Sequence, residues 1–149
     1  MSYWENRANF RELAGKTLVA INGLERGGER VTFVCSDGSE YVQYHEQDCC
    51  EGVDIDDVIG DVKDIIGSPV LVADESSNSD GPGKGEYVES FTWTFYKIDT
   101  AKGGVTIKWY GQSNGYYSES VSFYREKPPA DFTAGKSVTS VTKGAESDR

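Results

Sequence analysis

The segment SFTWTFYKIDTAKGGVTIKWYGQSNGYYSESVSFY, residues 90–124, carries the clearest structural pattern in the chain. Phe91, Trp93 and Phe95 alternate with Thr92, Thr94 and Tyr96, and Val105, Ile107 and Trp109 alternate with Thr106, Lys108 and Tyr110. Between Tyr116 and Tyr124, Tyr117, Val121 and Phe123 share one face, with Tyr116, Ser118, Ser120, Ser122 and Tyr124 on the other. A period of two carried by β-branched and aromatic residues marks strands. The short connections DTAKGG and GQSNG bear glycine, so the three strands are expected as antiparallel hairpins. On this reading Phe91, Trp93 and Phe95 face the core. Thr92, Thr94, Tyr96, Thr106, Lys108, Tyr110, Tyr116 and Ser118 form a hydroxyl-rich outer face containing one cation.

Upstream, RVTFVCS and EYVQYH flank Asp37-Gly38, a strong hairpin signal, and TLVAINGLE (17–25) reads as a strand before them, completing a meander. In NFRELAGKT, Phe10 and Leu13 with Gly15 beyond predict a short amphipathic helix. Ile55, Val58, Ile59, Val62, Ile65 and Ile66 follow helical spacing but are interrupted by Gly60. They resolve as a turn or short strand up to Ile59, then a one-to-two-turn helix capped by Asp61 and ended by Gly67. PVLVADES follows as a strand, and the Gly/Ser-rich segment 76–86 as a mobile loop. Pro128-Pro129 opens a Ser/Thr/Lys/Gly tail. The expectation is an α+β fold, a mostly antiparallel sheet of about six strands with two short helices. It forms one domain over 1–127, with a disordered tail over 128–149.

The chain of 149 residues carries 25 Asp+Glu against 15 Lys+Arg, a formal charge of -10, which disfavours a nucleic-acid polymer as partner. Nothing approaches the ~18 consecutive apolar residues of a membrane span, and no apolar leader follows Met1. Cys35, Cys49 and Cys50 are an odd count, and a bond between neighbouring Cys49 and Cys50 closes a strained ring. Three free thiols in a reducing compartment are therefore expected.

Two clusters carry chemistry. YHEQDCCEGVDIDD (44–57) contains the single histidine, His45, beside Gln47, Asp48, Cys49, Cys50 and Glu51. A zinc site needs three or four ligands, and no second Cys/His pair completes one, so no metal is assigned. A Cys–His nucleophile is disfavoured because the surrounding acids raise a thiol pKa. The bland reading buries the cysteines and uses His45 and Asp48 in a tight turn. KWYGQSNGYYSE (108–119) surrounds a loop able to aim N–H groups inward with Trp109, Tyr110, Tyr116 and Tyr117, the combination that holds a base and a phosphate. Its bland reading is a hairpin whose aromatics pack across strands. The run Gly81-Pro82-Gly83-Lys84-Gly85 lacks the phosphate-loop spacing and is set aside.

The strings YHEQDCCE (44–51), IGSPVLVADE (66–75), SFTWTFYKI (90–98) and VTIKWYGQSNGYYSESV (105–121) resemble a family of small bacteriophage and prophage proteins without assigned activity. The similarity runs from about Leu13 to Phe123. It implies a phage accessory protein acting in the host cytoplasm, a class that includes counter-defence factors. By analogy of size, origin and architecture alone, the oligomeric Thoeris anti-defence sponges, which sequester cyclic nucleotide signals, offer a comparison. The expected function is non-catalytic capture of a small phosphorylated ligand, a cyclic nucleotide above all, by a homo-oligomer without a cofactor. Trp109, Tyr110 and Tyr116 would stack, Ser113 and Asn114 hydrogen-bond, Lys97 and Lys108 neutralise phosphate, and His45 and Gln47 read ligand edges. The alternatives are an acidic inhibitor of a host defence protein and a metal- or thiol-dependent enzyme at His45, Asp48 and Cys50.

Overall fold

A computed structural model describes residues 7–79, 83–84 and 88–130 of the chain. Its alternating segments pair into eight antiparallel strands in two four-stranded sheets. The first sheet runs β1 (Leu18–Asn22), β2 (Arg30–Cys35), β3 (Glu40–Tyr44), β8 (Ser122–Lys127), and the second β4 (Gly52–Ile59), β7 (Gly103–Ser113), β6 (Ser90–Thr100), β5 (Val70–Asn78). The architecture is all-β, which corrects the α+β expectation of one sheet with two helices. Both expected helices are four-residue 3-10 turns, Phe10–Leu13 and Val62–Ile65. Asn9 caps the first, and Asp61 caps the second by accepting from the Lys63 N–H. So few residues cannot offset the cost of nucleating an α-helix, and the turns serve to seat Phe10, Leu13 and Ile65 in the core. The mixed pattern before Gly60 is a full strand, with Val53 and Ile55 buried on one face of β4.

The meander and the Asp37-Gly38 hairpin form as expected, with Val34 opposite Glu40. In β6 the faces are reversed. Thr94 stands opposite Trp109, Tyr96 opposite Ile107 and Ile98 opposite Val105, and directly opposed residues share a face. Tyr96 and Ile98 are thus buried, whereas Phe91, Trp93 and Phe95 lie outward with Lys97 and Asp99. The charges explain the choice, because burying the Phe91 face would bury Lys97 and Asp99 with it. The chain also makes no hairpin at GQSNG. After Ser113 it leaves the second sheet, and β8 pairs with β3. Of the segment read as a loop, residues 76–78 belong to β5, and 80–82 and 85–87 lie outside the described residues. Of the tail, the Ala130 N–H donates to the Asp37 carbonyl, and residues 131–149 lie outside the described residues.

Both sheets contribute to one core. Leu18, Val31, Phe33, Tyr41 and Phe123 from the first meet Ile55, Tyr96, Ile98, Ile107 and Trp109 from the second. Phe10 wedges between them, 4.7 Å from the Tyr96 ring and 5.2 Å from Phe123. A buried hydrogen bond joins the two sheets through this interior: Trp109 Nε1–H donates to Gln43 Oε1 at 2.7 Å, and both residues are fully buried. Gln43 Nε2 is the one buried side-chain nitrogen or oxygen lacking a partner among the described residues.

Because a buried acceptor left without its donor costs about 1–3 kcal/mol, Trp109→Phe should lower stability by at least that much in urea titration. Adding Gln43→Leu should recover part of the loss by removing the orphaned amide, a positive coupling in the double-mutant cycle.

Candidate ligand cleft at the sheet crossovers

The chain changes sheets twice among the described strands, from β3 to β4 through residues 45–51 and from β7 to β8 through residues 114–121. The two crossovers lie side by side because His45 spans them. Its Nδ1 is 2.6 Å from the Ser120 carbonyl oxygen, and its Nε2 is 2.6 Å from Glu51 Oε2. A carbonyl can only accept. The Glu51 carboxylate also accepts from the Asp48 and Cys49 N–H groups, at 2.9 Å each. Both ring nitrogens of His45 are thus engaged, one by each crossover. Burial alone would raise the Glu51 carboxyl, but the bonds from His45 and the two backbone amides outweigh it and hold it at about 2. Gln47 completes the loop, its Nε2 donating to the Cys49 and Glu51 carbonyls.

The second crossover is pinned by its own carboxylate. Glu119 accepts from Thr92 Oγ1 at 2.8 Å and Ser113 Oγ at 2.5 Å. Burial would push its carboxyl up; these hydroxyl bonds outweigh it and bring it below the usual range. Gly111 permits the close approach, since a Cβ there would stand 2.7 Å from the Glu119 carbonyl oxygen. Asn114 Oδ1 accepts from the Tyr116 N–H, and Gly115 takes a φ of 92° to turn the chain.

Where the crossovers meet the outer side of the second sheet, a cleft of about 540 Å³ opens. Ser113, Asn114 and Gln112 line one wall and Cys50 and Glu51 the other, with Lys84 and Tyr117 also on the lining. The two sequence clusters thus converge, though not through all the expected residues. Ser113 and Asn114 line the cleft. His45 and Gln47 hold its wall from behind, and they line a separate hollow beside Glu29 and Arg30. Tyr116 is 83% exposed and outside the cleft, its ring edge-on to Tyr117. Trp109 is core. Tyr110 is 4% exposed, packed on Trp93 and Phe91, and its hydroxyl accepts from the Lys84 N–H and donates to Gln112 Oε1. Lys108 lies 4.4 Å over the Trp93 ring and 3.9 Å from Asp56, and Lys97 is paired with Asp99. Neither lysine lines the cleft; its cation is Lys84, which is itself paired with Asp56.

Cys49 and Cys50 are joined by a disulfide, and Cys35 alone among the three is free and buried. This corrects the expectation of three free thiols: the loop held by Glu51 and Gln47 brings neighbouring sulfurs together. With both ring nitrogens of His45 engaged and the Cys50 sulfur bonded, the three residues His45, Asp48 and Cys50 present no nucleophile with a free base. Among the described residues no group of three or more His, Cys, Asp or Glu could hold a metal ion. No helix among them is long and apolar enough to cross a membrane. The sequence assigned no role to Glu51, Glu119 or Lys84, and it named Tyr117 only as one of four rings flanking the loop. The acids stood in view as a cluster of charges, and Lys84 sat in the glycine run set aside for its spacing.

Residues 11–123 match the family model described as a domain of unknown function (DUF7448). No curated protein and no solved structure matches the chain.

Glu51 and Asp37 both have carboxyls held at about 2 in the folded protein; for Asp37, bonds from Lys16 and Ser39 overcome the upward effect of burial. Such groups stabilise fully above their unfolded pKa and lose that contribution as pH falls through the folded one. Urea midpoints should hold from pH 7 to about 5 and then fall steadily towards pH 2. Glu51→Gln should lower the midpoint at pH 7 and flatten this acid limb.

Proposed function

We propose, for a chain that belongs to the DUF7448 family, that the crossover cleft binds a small phosphorylated ligand of the nucleotide type and returns it unchanged. The observation that carries this reading is the convergence of Asn114, Ser113, Lys84 and Tyr117 on one open cleft of about 540 Å³. That volume lies within the range of small-molecule sites, roughly 300–1,000 Å³. Tyr117 offers a ring face for a base, Lys84 a cation for one phosphate, and Asn114 and Gln112 amide groups for ligand edges. The walls are tied by hydrogen bonds within the protein, so little ordering is left to be lost on binding. Deployed by a phage in the host cytoplasm, such a binder would lower the free concentration of a cyclic nucleotide immune signal, and a homo-oligomer would multiply its capacity. The resemblance to phage accessory proteins supports that biological setting, and the cleft supports the ligand class.

Differential scanning fluorimetry against cyclic nucleotides and ADP-ribose derivatives tests the reading. A true ligand at 100 times its Kd should stabilise the fold by about 2.7 kcal/mol and be recovered intact by chromatography. Tyr117→Ala should weaken that ligand by about 1–3 kcal/mol, the usual worth of a base–aromatic stack. A flat response across the whole panel would overturn the assignment.

A further inference from the structure

The wall of the cleft holds a second chemistry that ligand capture leaves unused. A structural disulfide ties distant segments, and its stabilisation grows with the length of chain it closes. Cys49–Cys50 joins neighbours and closes no loop. Its segment is also held by other bonds: Asp48 and Cys49 donate their N–H groups to Glu51, and Gln47 bridges the Cys49 and Glu51 carbonyls. Both cysteines are exposed, and Cys50 faces the cleft. Cys35, by contrast, is 2% exposed.

We propose that Cys49–Cys50 is a thiol–disulfide exchange site that takes two electrons from a small dithiol entering the crossover cleft. The thiolate of the dithiol attacks the exposed Cys50 sulfur, forming a mixed disulfide as the Cys49–Cys50 bond breaks, and Cys49 leaves as a thiolate that takes up a proton. The second thiol of the donor then attacks its own sulfur in the mixed disulfide. The donor leaves as a cyclic disulfide, and Cys50 departs as a thiolate that is protonated in turn. The pair gains two electrons and two protons, and the donor loses the same. The reduced pair presents two adjacent thiols, a chelating site for a thiophilic centre such as a trivalent arsenical. The site stands on the loop residues and does not depend on the nucleotide reading.

The test uses the full chain, equilibrated with oxidised dithiothreitol and then treated without denaturant with reduced dithiothreitol, quenched by iodoacetamide and mapped by peptide mass. The expected result is no alkylation before reduction, then modification of Cys49 and Cys50 with Cys35 spared, an unchanged far-ultraviolet spectrum, and return of the bond on reoxidation. The reduced protein should take up one equivalent of phenylarsine oxide, and Cys49→Ser and Cys50→Ser should each abolish that uptake while keeping the fold. Alkylation of both cysteines before reduction would overturn the proposal. So would reduction that requires denaturant or that unfolds the chain. Should either serine variant fail to fold, the wild-type alkylation map decides the matter alone. A flat response across the nucleotide panel with exchange intact would overturn the preceding proposal and leave this one standing.

Discussion

The His45 imidazole, placed between the Ser120 carbonyl and the Glu51 carboxylate, is the contact on which the functional corner depends. A two-sheet protein must change sheets somewhere, and the connecting segments leave the ladder with unpaired backbone groups. Here both changes occur at one corner, and each segment is braced by its own carboxylate. Glu51 collects two backbone amides of the first crossover, and Glu119 collects hydroxyls from β6 and the end of β7 for the second. His45 then joins the crossovers to each other. Each carboxylate is ionised and hydrogen-bonded, which offsets the cost of taking its charge out of water.

This arrangement separates stability from function. The interior is largely apolar, with Trp109 and Gln43 hydrogen-bonded from sheet to sheet within it, and it fixes the sheets. The crossovers add a polar frame whose bonds are complete without a ligand. The cleft is therefore a by-product of two segments already braced for other reasons, and substitutions on its lining need not reach the core. Ser113 shows the limit of that independence. It lines the cleft, yet its hydroxyl donates to Glu119 and accepts from the Gly115 N–H, so its loss would loosen the turn as well as the site.

Strand identity was legible in the sequence because alternation is a local property, and the Asp37-Gly38 hairpin and the Asp61 cap were legible for the same reason. What was not legible depended on partners far along the chain. In β6 both faces carry large rings, and only pairing with β7 decides that Tyr96 goes in and Trp93 out. The charges at Lys97 and Asp99 were the available signal, since they share the face of Phe91, Trp93 and Phe95. The Phe10 and Ile65 segments have helical spacing, but a 3-10 turn of four residues satisfies the same two buried contacts. Ser113 and Asn114 line the cleft, and their turn chemistry is written locally. Lys108 and Lys97 lie outside the cleft because their β-sheet face pairs them with Asp56 and Asp99, and the bracing role of Glu51 was not legible because backbone amides are among its partners.

Electrostatics then constrain what the corner can bind. A chain of formal charge -10 repels an anion at long range, so no field gathers phosphate towards the cleft. Within it, Lys84 already faces Asp56, and Glu51 is held by His45 and two backbone amides. A phosphorylated ligand must share or displace the Lys84–Asp56 pair, and exchanging one ion pair for another yields little net gain. Affinity would then have to come from contacts made only after docking, which are the Tyr117 ring and the amides of Asn114 and Gln112. A polyanion such as a nucleic acid strand would carry the repulsion of every added phosphate without gaining further rings or amides. A compact ligand with one base and few charges loses least to the field and gains most from the walls, and the size of the cleft agrees with that balance.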